Sequence, residues 1–165
     1  MPQHVLLTLY YTLVYPYLSY CNIIWGCANV TTAHKLVVLQ KRAIRIVTRS
    51  KYRATSSPLF VRLRLLKLAD IHKYQIAVFV FGFINFLLPE SCMSYFCVNS
   101  APVYITRRNS FFVVPAFRTL IREHCIAVSG PQIWNDLPLA VRSCQYLCSV
   151  KRELVSYFIS LYVAI

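Results

Sequence analysis

Helical periodicity of apolar residues is the clearest pattern in the first half of the chain. From Ala33 to Thr48 the apolar residues recur every three to four positions, with basic residues between them. This spacing predicts an amphipathic helix with one packed face and one cationic face. The face that we expect to pack consists of Leu36, Leu39, Ala43 and Val47, flanked by Ile44 and Ile46.

An apolar segment precedes this helix and a shorter helix follows it. Residues 5–25 are apolar on nearly every side, which predicts a buried helix that Pro16 interrupts or kinks. Ser57 followed by Pro58 is a typical helix start, with the serine as the cap. We expect that helix to extend to about Lys67.

The most hydrophobic helix is predicted over residues 71–87, which are almost continuously apolar. We expect it to lie in the centre of the fold. Asp70 stands directly before it, and this position favours a helix-capping role over a catalytic one.

The pattern changes after Pro89, where short apolar runs and prolines replace helical periodicity. Two short strands are expected, over residues 111–114 and 125–128. Gly130-Pro131 predicts a turn, and residues 150–163 predict a final amphipathic helix.

These patterns together predict a mainly α fold of two parts. A helical bundle is expected over residues 1–89. A smaller, irregular part with one or two short strands and a C-terminal helix is expected over residues 90–165.

Composition and charge narrow the possible partners. The chain of 165 residues is 58% hydrophobic and only 14% charged, which is typical of a packed domain and excludes a disordered tail. Its formal net charge is +13, and no Asp or Glu occurs before Asp70. Such a balance indicates a polyanionic partner, and nucleic acid and an anionic membrane surface both meet this requirement.

A membrane span near residues 5–30 is an alternative, because this stretch has no Asp, Glu, Lys or Arg and is long enough to cross a bilayer. It also contains Pro16, Asn22 and Asn29, and five tyrosines are spread along it. Tyrosines in membrane helices collect at the interface. The composition therefore favours a helix buried in protein, and a small basic membrane protein remains the alternative.

No cofactor, metal or catalytic centre is expected. The seven cysteines form no C-x-x-C pair, so reduced apolar thiols are favoured over a zinc site. Nucleotide polymerisation requires paired carboxylates that hold two metal ions. The five acidic residues are scattered singly, so we expect no enzyme activity from this chain on its own.

The candidate binding residues are cations on the second helix and in the loop after it. No acidic residue alternates with them, as a salt-bridged helix surface would require, so nucleic-acid binding is favoured over a merely solvated face. This basic segment consists of Lys35, Lys41, Arg42, Arg45, Arg49, Lys51 and Arg53.

Five ordered blocks resemble the region after the palm in jockey-like LINE (non-LTR retrotransposon) reverse transcriptases. Residues 9–26 read LYYTLVYPYLSYCNIIWG, and residues 39–48 read LQKRAIRIVT. The other blocks are residues 58–89, YITRRNS at residues 104–110, and GPQIWNDLP at residues 130–138. Together they cover nearly the whole chain.

The resemblance implies a thumb region that grips the template and primer, with Lys41, Arg42 and Arg45 facing the nucleic acid. It also implies that the catalytic palm lies upstream in the same polyprotein, and that the compartment is cytoplasmic or nuclear. Ile105 and Val150 depart from the family pattern, so a non-functional transposon relic is a further alternative. The matching positions with an expected structural role are Trp25, Gln40, Trp134, Asn135 and Pro138.

Overall fold

A computed structural model describes residues 1–27, 30–99 and 111–163, without the side chains of residues 30–32. The described chain is mainly helical, which confirms the predicted fold class. A single isolated bridge joins Val98 and Phe112 within the described ranges. The α-helices are α1 (Gln3–Leu9), α2 (Tyr15–Ser19), α3 (Asn22–Trp25), α4 (Val30–Val47), α5 (Ser57–Leu63), α6 (Leu68–Ile84), α7 (Leu120–Glu123), α8 (Ile126–Asp136), α9 (Leu139–Arg142) and α10 (Leu147–Val163). A π-helical turn spans Tyr10–Val14, and a 3-10 turn spans Glu90–Cys92.

The helices group into two compact units. Unit 1 consists of residues 1–75 and 154–165, and unit 2 of residues 76–153. This division differs from the expected boundary near residue 89 in two ways: α6 from Ile76 onward belongs to unit 2, and the end of α10 belongs to unit 1. There the Tyr162 hydroxyl donates a hydrogen bond to the Asp70 carboxylate, and the Lys67 amide donates to the same hydroxyl oxygen.

The predicted interruption of the first helix is confirmed, but its expected burial is wrong, since Leu13, Tyr17 and Ile24 are 61%, 82% and 75% exposed. The Tyr15 amide donates to the Tyr10 carbonyl, five residues back, and so closes the π-helical turn directly before Pro16. Proline lacks an N–H and crowds the carbonyl four residues earlier, so the wider turn accommodates it without ending the helix. Tyr10 lies at this turn and is buried in the core of unit 1.

The face of α4 that packs agrees with the predicted one at Ala43, Ile44 and Val47 but differs from it at Leu39 and Ile46. Leu39 and Ile46 are 56% and 65% exposed, whereas Gln40, Ile44 and Val47 are buried. Gln40 is polar, so the hydropathy pattern did not assign it to the core. Hydrogen bonds to the Gln40 side chain compensate for its burial. The packed face is therefore rotated by about one residue from the predicted face.

Gln40 joins α4 to the start of α6. Its Oε1 accepts from the Leu68 amide at 3.0 Å, while its Nε2 donates to the Leu66 carbonyl at 2.9 Å and the Tyr10 hydroxyl at 3.1 Å. The first amides of a helix have no partner inside the helix. Gln40, from another helix, therefore supplies the hydrogen-bond acceptor that a capping residue next to α6 would otherwise supply.

The expected capping role of Asp70 is wrong. Helix α6 begins at Leu68, so Asp70 lies inside its first turn, where its carboxylate accepts from Tyr162. The helix before it, α5, contains Ser57 as its first residue, so the expected cap at Ser57 is wrong, and the helix is also shorter than predicted. It ends at Leu63 because Arg64 adopts a left-handed conformation, with φ of 52°.

Unit 2 packs around aromatic side chains. The Phe83 ring lies 4.9 Å from that of Phe96 between centroids, and the Phe96 ring lies 5.6 Å from that of Phe112. Gly130 lies against this cluster, since a Cβ there would approach Phe96 within 2.7 Å. Trp134 is also buried in this unit.

The expected second strand is wrong. Cys125 precedes helix α8, and residues 126–128 lie inside that helix. The predicted turn at Gly130-Pro131 is likewise part of α8, which the proline does not break. Of the first predicted strand, Phe112 alone forms a bridge. The final helix is confirmed and begins three residues early, at Leu147.

Alkaline pH is expected to destabilise unit 1. Burial and the hydrogen bond to Asp70 raise the pKa of Tyr162 above its ordinary value of 10.0. The unfolded chain then ionises first, so the contribution of Tyr162 is complete below about pH 10 and decreases as the pH rises further. Thermal denaturation between about pH 8 and about pH 12 should show this loss.

The control for this prediction is a pair of phenylalanine variants. Tyr162→Phe should lower stability at neutral pH and reduce its decline at alkaline pH. Tyr17→Phe, which changes a strongly exposed ring, should keep the wild-type decline. An unchanged pH profile in Tyr162→Phe would contradict this role.

Candidate nucleic-acid interface

One side of α4 exposes cations and apolar residues together. Lys35, Leu39, Arg42 and Ile46 are all exposed and recur at alternating spacings of four and three residues. This spacing places them on one stripe of the helix. The exposed stripe therefore combines positive charge with apolar contact area.

Arg49 closes the helix beyond this stripe. It adopts a left-handed conformation, with φ of 52°, and the Ser50 amide donates to the Arg45 carbonyl at 2.9 Å. This is the geometry in which helices commonly terminate. The side chain of Arg49 is exposed, and its guanidinium donates to the Met1 carbonyl.

The loop after α4 extends the cationic surface. Lys51 and Arg53 are exposed on either side of Tyr52, which is 70% exposed. The Arg42 guanidinium lies 3.4 Å from the Tyr52 hydroxyl and donates to it. An exposed aromatic ring among cations can stack on a nucleobase while its neighbours bind phosphates.

Arg45 positions this loop. It is half-buried, and its Nε donates to the Ala54 carbonyl at 3.0 Å. Lys41 is also half-buried. Of the three residues that the resemblance implied to face the nucleic acid, Arg42 is thus the fully exposed one.

The electrostatics of unit 1 are one-sided. Asp70 is the sole Asp or Glu in its sequence, and its carboxylate is bonded to Tyr162. The ion pair found among the described residues is between Arg152 and Glu153, at 4.0 Å, and lies outside the basic segment. The positive potential of the basic segment is therefore not neutralised by carboxylates of its own unit.

Trp25 and Gln40, the two positions of unit 1 that match the reverse-transcriptase pattern, make structural contacts. The Trp25 indole Nε1 donates to the Tyr20 carbonyl at 2.6 Å, which closes the turn before α3. Gln40 forms the three bonds between α4, Tyr10 and the start of α6 described above. Both side chains thus form hydrogen bonds within unit 1.

The positions of unit 2 that match the same pattern also make structural contacts. The Asn135 side chain accepts from the amides of Phe111 and Phe112 at 3.0 and 3.1 Å, and donates to the Phe112 carbonyl at 2.9 Å. Trp134 is buried, and Pro138 caps α9 in an extended conformation. The YITRRNS block lies outside the described residues.

No protein-family model, curated protein or solved structure matches this chain. Its function must therefore be argued from its own residues. None of the helices in the described part of the chain combines the length and the hydrophobicity that a membrane span requires.

Proposed function

We propose that this chain binds nucleic acid through the basic segment of unit 1, as a thumb-like part of a retrotransposon RNA-directed DNA polymerase. The observation that supports this most directly is the exposed, unneutralised cation set of α4 and its loop. The resemblance of five ordered blocks to jockey-like reverse transcriptases supplies the polymerase context. Template and primer are the proposed ligands.

Binding would act mainly on the phosphate backbone. Exposed lysines and arginines neutralise phosphates and release condensed counterions, which gives sequence-tolerant and salt-dependent affinity. Lys35, Arg42 and Arg53 are placed for such contacts, and Arg45 holds the loop that presents Arg53. Tyr52 adds a surface that any base can contact.

Catalysis is assigned to a palm domain outside these residues. Two metal ions for nucleotide transfer need a pair of carboxylates, and the first two acids after the basic segment along the chain are Asp70 and Glu90. Asp70 is bonded to Tyr162, so it is not available as half of such a pair. The chain would position the duplex for a reaction performed elsewhere.

A salt titration tests the proposal. The purified chain should bind a labelled RNA/DNA hybrid, and log Kobs should fall linearly with log salt. A slope of about −3 to −5 is expected if about four to six phosphates are neutralised. Fluorescence anisotropy measures it, and a hybrid of shuffled sequence should bind equally well. Absence of binding at low salt, or a slope near zero, would refute the proposal.

A further inference from the structure

A small apolar cavity opens beside the first half of α4. Its volume is about 270 Å³. Its walls come from the end of α3, from α4 and from the start of α6, and include Trp25, Ala33, His34, Val37 and Ala69. All of these residues belong to unit 1.

The walls favour a planar ligand with apolar faces. Trp25 is half-buried, and its indole N–H is already bonded to the Tyr20 carbonyl, so the ring is fixed and presents no free donor. His34 adds a second, exposed ring. Alanine and valine side chains complete the surface, so a strongly polar ligand would lose its hydration without gaining partners.

Two lysines follow wall residues of the cavity by one helical turn. Lys41 follows the wall residue Val37 by four positions on α4, and Lys73 follows the wall residue Ala69 by four positions on α6. Residues four apart on a helix are neighbours on its surface, at about 5–6 Å between Cβ atoms. Each helix therefore places a cation one turn from the cavity, which suits an aromatic ring attached to phosphates.

We propose that this cavity binds one unstacked nucleobase of a single-stranded nucleic acid, with the adjoining phosphates on Lys41 and Lys73. The inference rests on the proposed function and adds a ligand to it. A paired base is held in its stack and enters a pocket only after it is flipped out. The cavity therefore gives unit 1 a preference for unpaired strands or single-stranded ends.

The test fills the cavity without removing any polar group. Ala69 is exposed at the cavity wall, and Ala69→Leu should occupy part of the space. Its affinity for an oligothymidylate of about ten nucleotides should drop about tenfold, because stacking of a base is lost. The salt slope should stay unchanged, since no charge is deleted. Ala140→Leu, at an exposed alanine of α9, should bind like the wild type.

A matched probe tests the same point on the unmodified protein. An abasic strand of equal length keeps the phosphates and loses the bases, so the wild type should bind it about tenfold more weakly. Ala69→Leu should distinguish the two strands less than the wild type does, because only the exposed Tyr52 ring remains to stack on a base. Affinity for a blunt duplex should be the same in wild type and variant.

Several outcomes would overturn the cavity proposal. Equal affinity of the wild type for the intact and abasic strands would do so, as would an equal loss on duplex and single strand in Ala69→Leu. If circular dichroism shows that Ala69→Leu is unfolded, Ala33→Leu on the opposite wall replaces it under the same criteria. If binding depends on salt but is equally tight for the intact and the abasic strand, the cavity proposal fails and the proposed function stands. If binding does not depend on salt, the proposed function itself fails.

Discussion

Replacement of Lys35, Arg42 and Arg53 by glutamine is expected to weaken nucleic-acid binding by about a hundredfold at about 0.1 M salt. All three side chains are exposed, and no carboxylate of unit 1 neutralises them. Glutamine nearly preserves helix propensity while it deletes the charge. If each cation contacts one phosphate, the salt slope should fall by about 2 to 3.

A matched variant separates a binding surface from net charge. Arg118, Arg122 and Lys151 are exposed in unit 2, and their replacement by glutamine deletes the same charge. This control should keep most of the affinity and nearly the wild-type slope. Equal losses in the two triple variants would show that only net positive charge matters, and the assignment to α4 and its loop would fail.

Arg45 is excluded from the first variant because of its contact. Its Nε bond to the Ala54 carbonyl holds the loop that contains Arg53. A change at Arg45 would therefore mix lost charge with lost loop geometry. Arg49 is excluded for a related reason, since its left-handed backbone closes α4.

Gln40→Met is expected to lower the free energy of unfolding by about 3 kcal/mol or more. Methionine retains most of the volume, but the Leu66 carbonyl and the Leu68 amide lose their partner, as does the Tyr10 hydroxyl. A buried polar group without a partner costs about 1–3 kcal/mol. Chemical denaturation should show a lower midpoint with a similar slope.

Two controls accompany this change. Gln145→Met makes the same substitution at an exposed position and should be nearly neutral. Tyr10→Phe removes one of the three bonds and should cost about 1 kcal/mol. If Gln40→Met is as stable as Gln145→Met, the network does not stabilise unit 1.

The seven predicted binding cations show which properties a sequence pattern can predict. Their charge and their positions on the helix or in the loop after it follow from residue type and position in the sequence. The pattern did not distinguish the exposed Arg42 from the half-buried Lys41 and Arg45. For Arg45 the difference follows from its hydrogen bond to Ala54 in the loop after α4, a contact that the spacing along the helix does not predict.

The order of residues was enough to predict the helical class, the interruption at Pro16, the final helix and the cationic character of α4. Each of these follows from local stereochemistry, from 3.6-residue periodicity or from charge. Such properties require no knowledge of distant contacts. They were therefore accessible from the order of residues.

Contacts between residues far apart in the chain fix which stripe of α4 is buried, which group Asp70 binds and where the two units divide. Gln40 packs inside because its partners lie some thirty residues away, at Tyr10, Leu66 and Leu68. Asp70 bonds to Tyr162, 92 positions along the chain, and not to the first amides of α6. A polar group can be buried only if hydrogen-bond partners lie next to it in the folded structure. The hydropathy pattern along the chain contains no information about those partners.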